Sequence, residues 1–302
     1  MFNASDARNF TAMSEKEIQY AREFGEGLHV TKVSGDVVPF EENKLVHSLE
    51  RSGASESIIN EVLKEVRGHL YEGIPTKHIY RMAFAILKKR TASSAARYQL
   101  KQAIADLGPT GYPFERLVGA LFEHQGYHVQ VGQLVQGRCV QHEVDVIAEK
   151  NGTRNMMECK FHADPNRKAD VKVPLYIRSR FVDVMEAWQK TEPDLDYVGW
   201  VVTNARFTTD ALDYGRCIGL QLLSWDYPQH GSLKERVDGS KLLPITCLTT
   251  LKKNEKQQLL ENGVVFCRDI KADPETLNGI GLTLSRSGKV MNEVKAICNN
   301  NH

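Results

Sequence analysis

The sequence predicts an α/β (α+β) protein: a small, mainly helical domain, then a mixed sheet flanked by helices, then a small helical region. Three observations carry this. Apolar residues recur at three- and four-residue spacing through 45–108, the helical period. Beyond 126 come extended segments joined by Asn151-Gly152, the strongest short hairpin signal. From 173 on, helical and β-prone runs alternate, as in a sheet covered by helices.

The elements follow in order. Residues 1–27 read as a partly helical leader. VTKVSGDVVPF (30–40) is a small hairpin turning at Ser34-Gly35, where glycine supplies positive φ. Leu45 and Leu49 mark a first helix. Ser55 caps a second, with Ile59, Val62, Leu63, Val66 and Leu70 on one face. Thr76 caps a third with Ile79, Ala83, Ile86 and Leu87, and Ser93 a fourth that ends near Gly108-Pro109. That break closes a domain over 28–108. A second domain, 110–230, opens with the amphipathic helix of Phe114, Leu117, Val118, Leu121 and Phe122, stopped by Gly126. Extended segments at 127–135, 143–149 and 154–161 follow, then a helix over 173–190, a strand at 198–203, a helix over 208–218 and a strand at 220–225. Residues 226–240, with Pro228, Gly231 and Gly239, read as a linker, and 241–302 as a helical tail.

Composition narrows the function. A formal charge of +1 gives no global basic field, so a nucleic-acid surface has to be local. The six cysteines are scattered without a CxxC pair, which fits reduced, mostly buried thiols of a cytoplasmic protein. The sequence has no apolar run near the roughly 18 to 20 residues of a membrane span, and its start lacks a signal-peptide core.

The chemistry concentrates in HEVDVIAEKNGTRNMMECKFH (142–162). With Asn151-Gly152 as the turn, facing positions sum to 303, setting Glu149 opposite Arg154, Asp145 opposite Glu158 and Glu143 opposite Lys160. Alternation puts those last four on one face, and Val144, Val146, Ala148, Met157, Cys159 and Phe161 on the other. Two carboxylates about 5 Å apart repel unless a hard cation or a proton lies between them. Mg2+ or Mn2+ held by Asp145 and Glu158 is the expectation, with Lys160 beside it to orient water or stabilise charge. A solvated charged face explains the alternation equally well. Glu115 leans toward the buried side of its helix and needs a partner there; the metal cleft is one candidate, and a glutamate that simply sits at the helix N-terminal turn is the other. His142 falls on the core side and reads as a satisfied histidine. From Lys160 to Arg180, six basic residues (Lys160, Arg167, Lys168, Lys172, Arg178, Arg180) stand against Asp164 and Asp170, a local charge of +4 suited to DNA backbone.

Asp145 followed by Glu158-x-Lys160, behind a glutamate-bearing helix, resembles the PD-(D/E)XK nuclease signature. FERLVGALFEHQGYHV (114–129), EVDVIA (143–148), MMECKFH (156–162) and VVTNARFTTDALDYGRCIGLQLLSWD (201–226) resemble Mrr-like restriction endonucleases. The resemblance implies a metal-dependent DNA endonuclease in which Asp145 and Glu158 bind metal, Lys160 is catalytic and Glu115 matches the helix glutamate that some branches use as an added ligand. By analogy it also implies self-association. His142 and Glu143 replace the glycine-rich lead-in usual in that family.

VTKVSGDVVPFEENKLVHSLERSGAS, with the helices after it and ARYQL (96–100), resembles the ATP-cone, a module that regulates ribonucleotide reductases. That likeness implies ATP or dATP as an effector, with Lys32, Gly35 and Lys44 at the nucleotide. Val33 and Val38 depart from the basic and acidic residues usual there, so a cone that binds nucleotide and one that keeps only the fold both stay open. LTTLKKNEKQQLLENGVVFCRDI (248–270) resembles helix-hairpin-helix modules, whose turn amides grip DNA phosphate, and equally a small helical cap. Two rival functions remain: a nuclease acting on RNA, and a nucleotide-sensing DNA-binding protein with a silent nuclease fold.

Overall fold

The computed structural model of the protein describes residues 27–164 and 166–299. The expected leader lies outside the described residues except for Gly27. By packing, the chain divides into two compact units, one ending at Glu50 and resuming over Ser55–Ile86, the other comprising Arg51–Ala54 and Leu87 onward.

In the first unit, β1 (His29–Thr31) and β2 (Val37–Pro39) form the hairpin around 34–35. The Gly35 amide donates to the Lys32 carbonyl at 2.9 Å with φ at +90°, a conformation that costs glycine little. Helices α1 (Glu42–Arg51) and α2 (Glu56–Gly68) bury Leu45, Leu49, Ile59, Val62, Leu63 and Val66, and α3 (Thr76–Arg90) follows. Ile74–Pro75 adds β3, parallel to β1, which two residues were too few to announce as a period. The Arg67 guanidinium ties α2 to α1 through two bonds to Glu42, at 2.6 and 2.9 Å.

The second unit opens with two short helices, α4 (Ala92–Tyr98) and α5 (Leu100–Ala105), where one was expected. Thr91, not Ser93, sits at the first N-cap, and Ser93 is buried. Next come α6 (Tyr112–His124), β4 (His128–Gln136), β5 (Gln141–Lys150), β6 (Thr153–Lys160), β7 (Lys168–Ala169), α7 (Lys172–Thr191), β8 (Asp196–Thr203), β9 (Arg206–Phe207), α8 (Thr209–Cys217) and β10 (Gln221–Leu223). The five-stranded sheet has the order β10-β8-β6-β5-β4; β4, β5 and β6 are antiparallel neighbours, while β6, β8 and β10 run parallel. One face packs Val146, Ala148, Met157 and Val202 against Phe114, Leu117 and Leu121 of α6. The other packs Val144, Ile147, Met156 and Val201 against Ile177, Phe181 and Val184 of α7.

The expected linker is largely a helix, α9 (Leu233–Ser240), with Leu233 and Val237 buried. Its start is a capping box between Ser232 and Glu235, which outweighs the turn-forming glycines around it. A 3-10 turn (Ile245–Cys247) and helices α10 (Lys253–Glu261), α11 (Cys267–Ala272), α12 (Thr276–Gly279) and α13 (Leu284–Asn299) complete the chain. Leu243, Ile245, Leu259, Val265, Phe266 and Val290 share one core with Leu100, Ile104 and Leu107. The turn between α10 and α11 does not present its amides: those of Val264, Val265, Phe266 and Cys267 donate to Leu259, Asp269 and Leu243. None of them is left for the phosphate grip of a helix-hairpin-helix.

Of the cysteines, Cys159, Cys247 and Cys267 are buried, Cys298 is half-buried, and Cys139 and Cys217 are exposed, so burial holds for half of the set. No helix among the described residues is long and apolar enough to cross a membrane.

Candidate active site

The hairpin adopts the expected register: Lys150 pairs with Thr153, Ile147 with Met156, and Val146 with Met157. There the ladder stops. Beyond Val146 and Met157, β5 stays with β4 while β6 stays with β8, and the two strands part. Asp145 and Glu158 are the first pair past the fork. Asp145 Oδ2 accepts the Cys159 amide at 2.6 Å, replacing a ladder bond with a side-chain one. The facing of Glu143 and Lys160 expected from a continuous hairpin is therefore not formed. Nor does Val144 share a face with Val146, since it packs on the α7 side. The cause lies in β4, where Gly132 adopts φ +64° opposite Asp145 and the pair drops out of the ladder, turning the strands over.

The fork gathers charge from both faces of the sheet. Glu158 is 4% exposed, and its two oxygens take Lys160 Nζ at 2.7 Å and Arg180 Nη1 at 2.5 Å. Arg180 also donates to the Glu143 carbonyl, so one guanidinium from α7 bridges the separated strands. Lys160 is the more accessible partner, with its side chain 36% exposed against 12% for Arg180. From the other face, the first turn of α6 brings Glu115. Burial and then the nearby charges of Asp145, Glu143 and Glu158 push the Glu115 carboxyl up to about 7. Burial and then the Glu158 charge push Asp145 up to about 6. Asp145, Glu158, Lys160 and Glu115 thus share one electrostatic site.

Two carboxyls pushed upward by burial, and then by neighbouring charge, are under-compensated, and a hard divalent cation is the partner that such oxygen donors favour. Asp145 and Glu158 offer two carboxylate donors. Among the described residues no group of three or more His, Cys, Asp and Glu is arranged to hold a metal, so further ligands would have to be water or substrate oxygens.

Around this centre, Arg167, Lys168 and Lys172 are exposed and Arg178 is half-buried beside the Phe181 ring. Arg180, expected at the DNA surface, is instead taken up by Glu158 because α7 crosses directly over the fork. His142 bonds Asp183 at 2.8 Å, the satisfied histidine expected, though on the α7 side. Asn204, within the 201–226 segment but given no role by the sequence, clamps the loop after Lys160: its side chain accepts the His162 amide at 2.8 Å and donates to the His162 carbonyl at 2.7 Å. In the first unit, Lys32 is exposed and Lys44 is exposed with its ammonium 2.6 Å from Glu41.

Comparisons with known proteins bear on the family and the fold. The restriction endonuclease family matches residues 109–226, the ATP cone domain family residues 28–103, and the AF1548-like C-terminal family residues 243–298. An uncharacterized protein of Archaeoglobus fulgidus is 36% identical over 178 residues, covering 59% of this chain and 97% of its own. The crystal structure of AF1548, a protein of unknown function, superposes with a TM-score of 0.53 at 34% identity, over 64% of this chain and all of that one. A complex of the MspJI restriction endonuclease with a 27-mer oligonucleotide gives a TM-score of 0.32 at 13% identity, over 66% of this chain and 39% of that one. The chain belongs to the AF1548-like family, joining an ATP cone domain, a restriction endonuclease domain and the AF1548-like C-terminal domain.

Proposed function

We propose that the protein is a Mg2+- or Mn2+-dependent DNA endonuclease that hydrolyses phosphodiester bonds at the β5–β6 fork, with ATP or dATP acting through the cone. The observation that carries the reading is the convergence of Asp145, Glu158 and Lys160 at the point where two strands separate. Past the fork the two carboxylates are held by side-chain and backbone donors and not by the strand ladder.

Asp145 and Glu158 would hold the metal ion, which when bound polarises the phosphate and lowers the pKa of water. The remaining work falls to the chain. Arg180 and the Cys159 amide fix the two carboxylates in place. Lys160, the more accessible cation, would face the charge that develops on the phosphate oxygens. Glu115, with its carboxyl near neutrality, is able to take up or release a proton at working pH. Arg167, Lys168 and Lys172 present exposed positive charge on the segment that follows Lys160, suited to flanking phosphates. The ATP cone match supports a nucleotide effector near Lys32, Gly35 and Lys44.

Incubating supercoiled plasmid and a structured RNA with Mg2+, Mn2+ or EDTA tests the reading. We expect metal-dependent plasmid cutting that falls at least a hundredfold in Asp145→Ala and Lys160→Ala, with DNA binding kept. Unchanged cutting in both variants would remove these residues from the chemistry. Cutting of RNA alone would move the substrate, and binding without any cutting would leave a docking scaffold.

A further inference from the structure

A cavity of about 540 Å³ lies one loop away from the fork, where the 105–109 segment, the loop after β6 and helix α10 of the C-terminal domain meet within the second unit. Gly108 and Pro109 form one side, Ala163 a second, and Lys253, Lys256 and Gln257 of α10 a third. Its size is that of a small-ligand pocket, in the range of about 300 to 1,000 Å³.

The cavity is tied to the candidate centre through its walls. Ala163 is the third residue after Lys160, on the loop that Asn204 clamps. Gly108 leans on the ring of Phe161 so closely that an added Cβ would lie 2.6 Å from it. Both walls therefore rest on residues adjoining the catalytic strand.

The charge inside is one-sided. Lys253 and Lys256 stand against a single acidic lining residue, Asp106, which already accepts a bond from Gln102 at 2.9 Å. Lys256 is half-buried and donates to the Thr246 carbonyl at 2.8 Å, and burial lowers its pKa. An ammonium short of solvent gains strongly from an anion. Lys253 is the first residue of α10, a nine-residue helix whose first turn is capped by Glu255 through the Lys252 amide, so its own ammonium is the charge it brings to the cavity. Ala105, Pro109 and Leu260 supply an apolar floor. A cavity with two ammonium groups and an apolar floor suits a phosphate joined to a less polar body, as in a nucleotide.

We propose that this cavity is a phosphate subsite, built jointly by the 105–109 segment, the loop after Lys160 and the C-terminal domain, that takes a nucleotide phosphate of the strand leaving the Asp145–Glu158 fork. The identity of the ligand as substrate rests on the nuclease reading; the phosphate chemistry does not. The C-terminal domain then has a direct part in holding nucleic acid, through the start of α10 and not through the turn at its end.

Fluorescence anisotropy with the full chain in EDTA tests this, using a labelled DNA strand bearing either a 5′-phosphate or a 5′-hydroxyl. Lys253→Glu and Lys256→Met are each expected to weaken binding about tenfold. The slope of log K against log salt should fall by roughly 0.7 for each phosphate that a variant no longer neutralises, the single-strand value. A charge reversal at the exposed Lys289 of α13, Lys289→Glu, should do neither. Weakening confined to the 5′-phosphorylated strand assigns the cavity to a terminal phosphate, and equal weakening on both assigns it to a backbone diester. Wild-type affinity in both cavity variants overturns the proposal while leaving the nuclease reading intact. Should the wild type bind no DNA in EDTA or with Ca2+ in its place, DNA falls as the substrate. Melting with inorganic pyrophosphate then decides the cavity: stabilisation that is absent from both variants retains a phosphate site, and none in the wild type rejects it.

Discussion

At the residue scale, the account turns on how Glu158 is compensated. Its carboxylate is buried and both oxygens are held, one by Lys160 and one by Arg180. Arg180→Met removes the buried partner and should destabilise the protein by about 3 kcal/mol in denaturant melts, because a buried charge left unpaired is costly. Adding Glu158→Gln to that variant should recover part of the loss, and a double-mutant cycle measures how much. The pH dependence follows from Asp145 and Glu115, both raised above their ordinary values, to about 6 and about 7. Between their unfolded and folded pKa values the folded protein binds more protons than the unfolded one. These groups therefore make the metal-free protein lose stability as pH rises from about 4 to about 7. Melting Asp145→Asn and Glu115→Gln beside the wild type across that range should show a flatter slope in each variant. Parallel curves would mean that the raised carboxyls are not there. Asp145 and Glu158 were legible in the sequence because an Asn-Gly turn fixes which residues face one another. Arg180 was legible only as one of six basic residues, since spacing along a helix does not reveal which strand end it crosses.

At the element scale, the fork depends on small local devices. Gly132 with φ +64° turns β4 and β5 over, and Gly137 lets Asp183 close the turn between them, where a Cβ would sit 2.1 Å from Asp183 Oδ2. Gly137→Ala should cost about 1 to 3 kcal/mol, since it displaces Asp183 from the Cys139 amide and from His142. The register of β5 and β6 could be read from the sequence because the turn and the Glu149–Arg154 pair agree; Arg154 Nε lies 2.5 Å from Glu149. The reversal at Gly132 could not, because one glycine in a strand does not announce its φ. Helix α9 was hidden for a different reason. Pro228, Gly231 and Gly239 outweighed the Ser232-x-x-Glu235 cap when the segment was read by composition. Ser232→Ala should cost about 1 kcal/mol, the usual value of a lost helix cap.

At the scale of the whole molecule, the C-terminal helices are part of the second unit's core and not an appendage. Gln99 donates to the Cys247 carbonyl and Thr246 to the Ala103 carbonyl, each at 2.6 Å, beside the apolar packing of Leu100, Ile104 and Leu107. Ending the chain after Ser240 should therefore abolish cooperative melting of the nuclease domain, as followed by near-ultraviolet circular dichroism. Sequence periodicity marked these helices but not their partners, because packing between segments some 140 residues apart leaves no local pattern. The ATP cone poses the other large-scale question. Calorimetry with ATP and dATP should show saturable binding that Lys32→Ala and Lys44→Ala weaken, and silence in the wild type would make the cone structural. The most direct test of the central claim is a calorimetric titration of Mn2+ into the wild type, Asp145→Asn and Lys160→Ala. Saturable binding in the wild type and Lys160→Ala, abolished in Asp145→Asn, is the outcome expected of a cation site at the fork. Equal binding in all three, or none in the wild type, would contradict it.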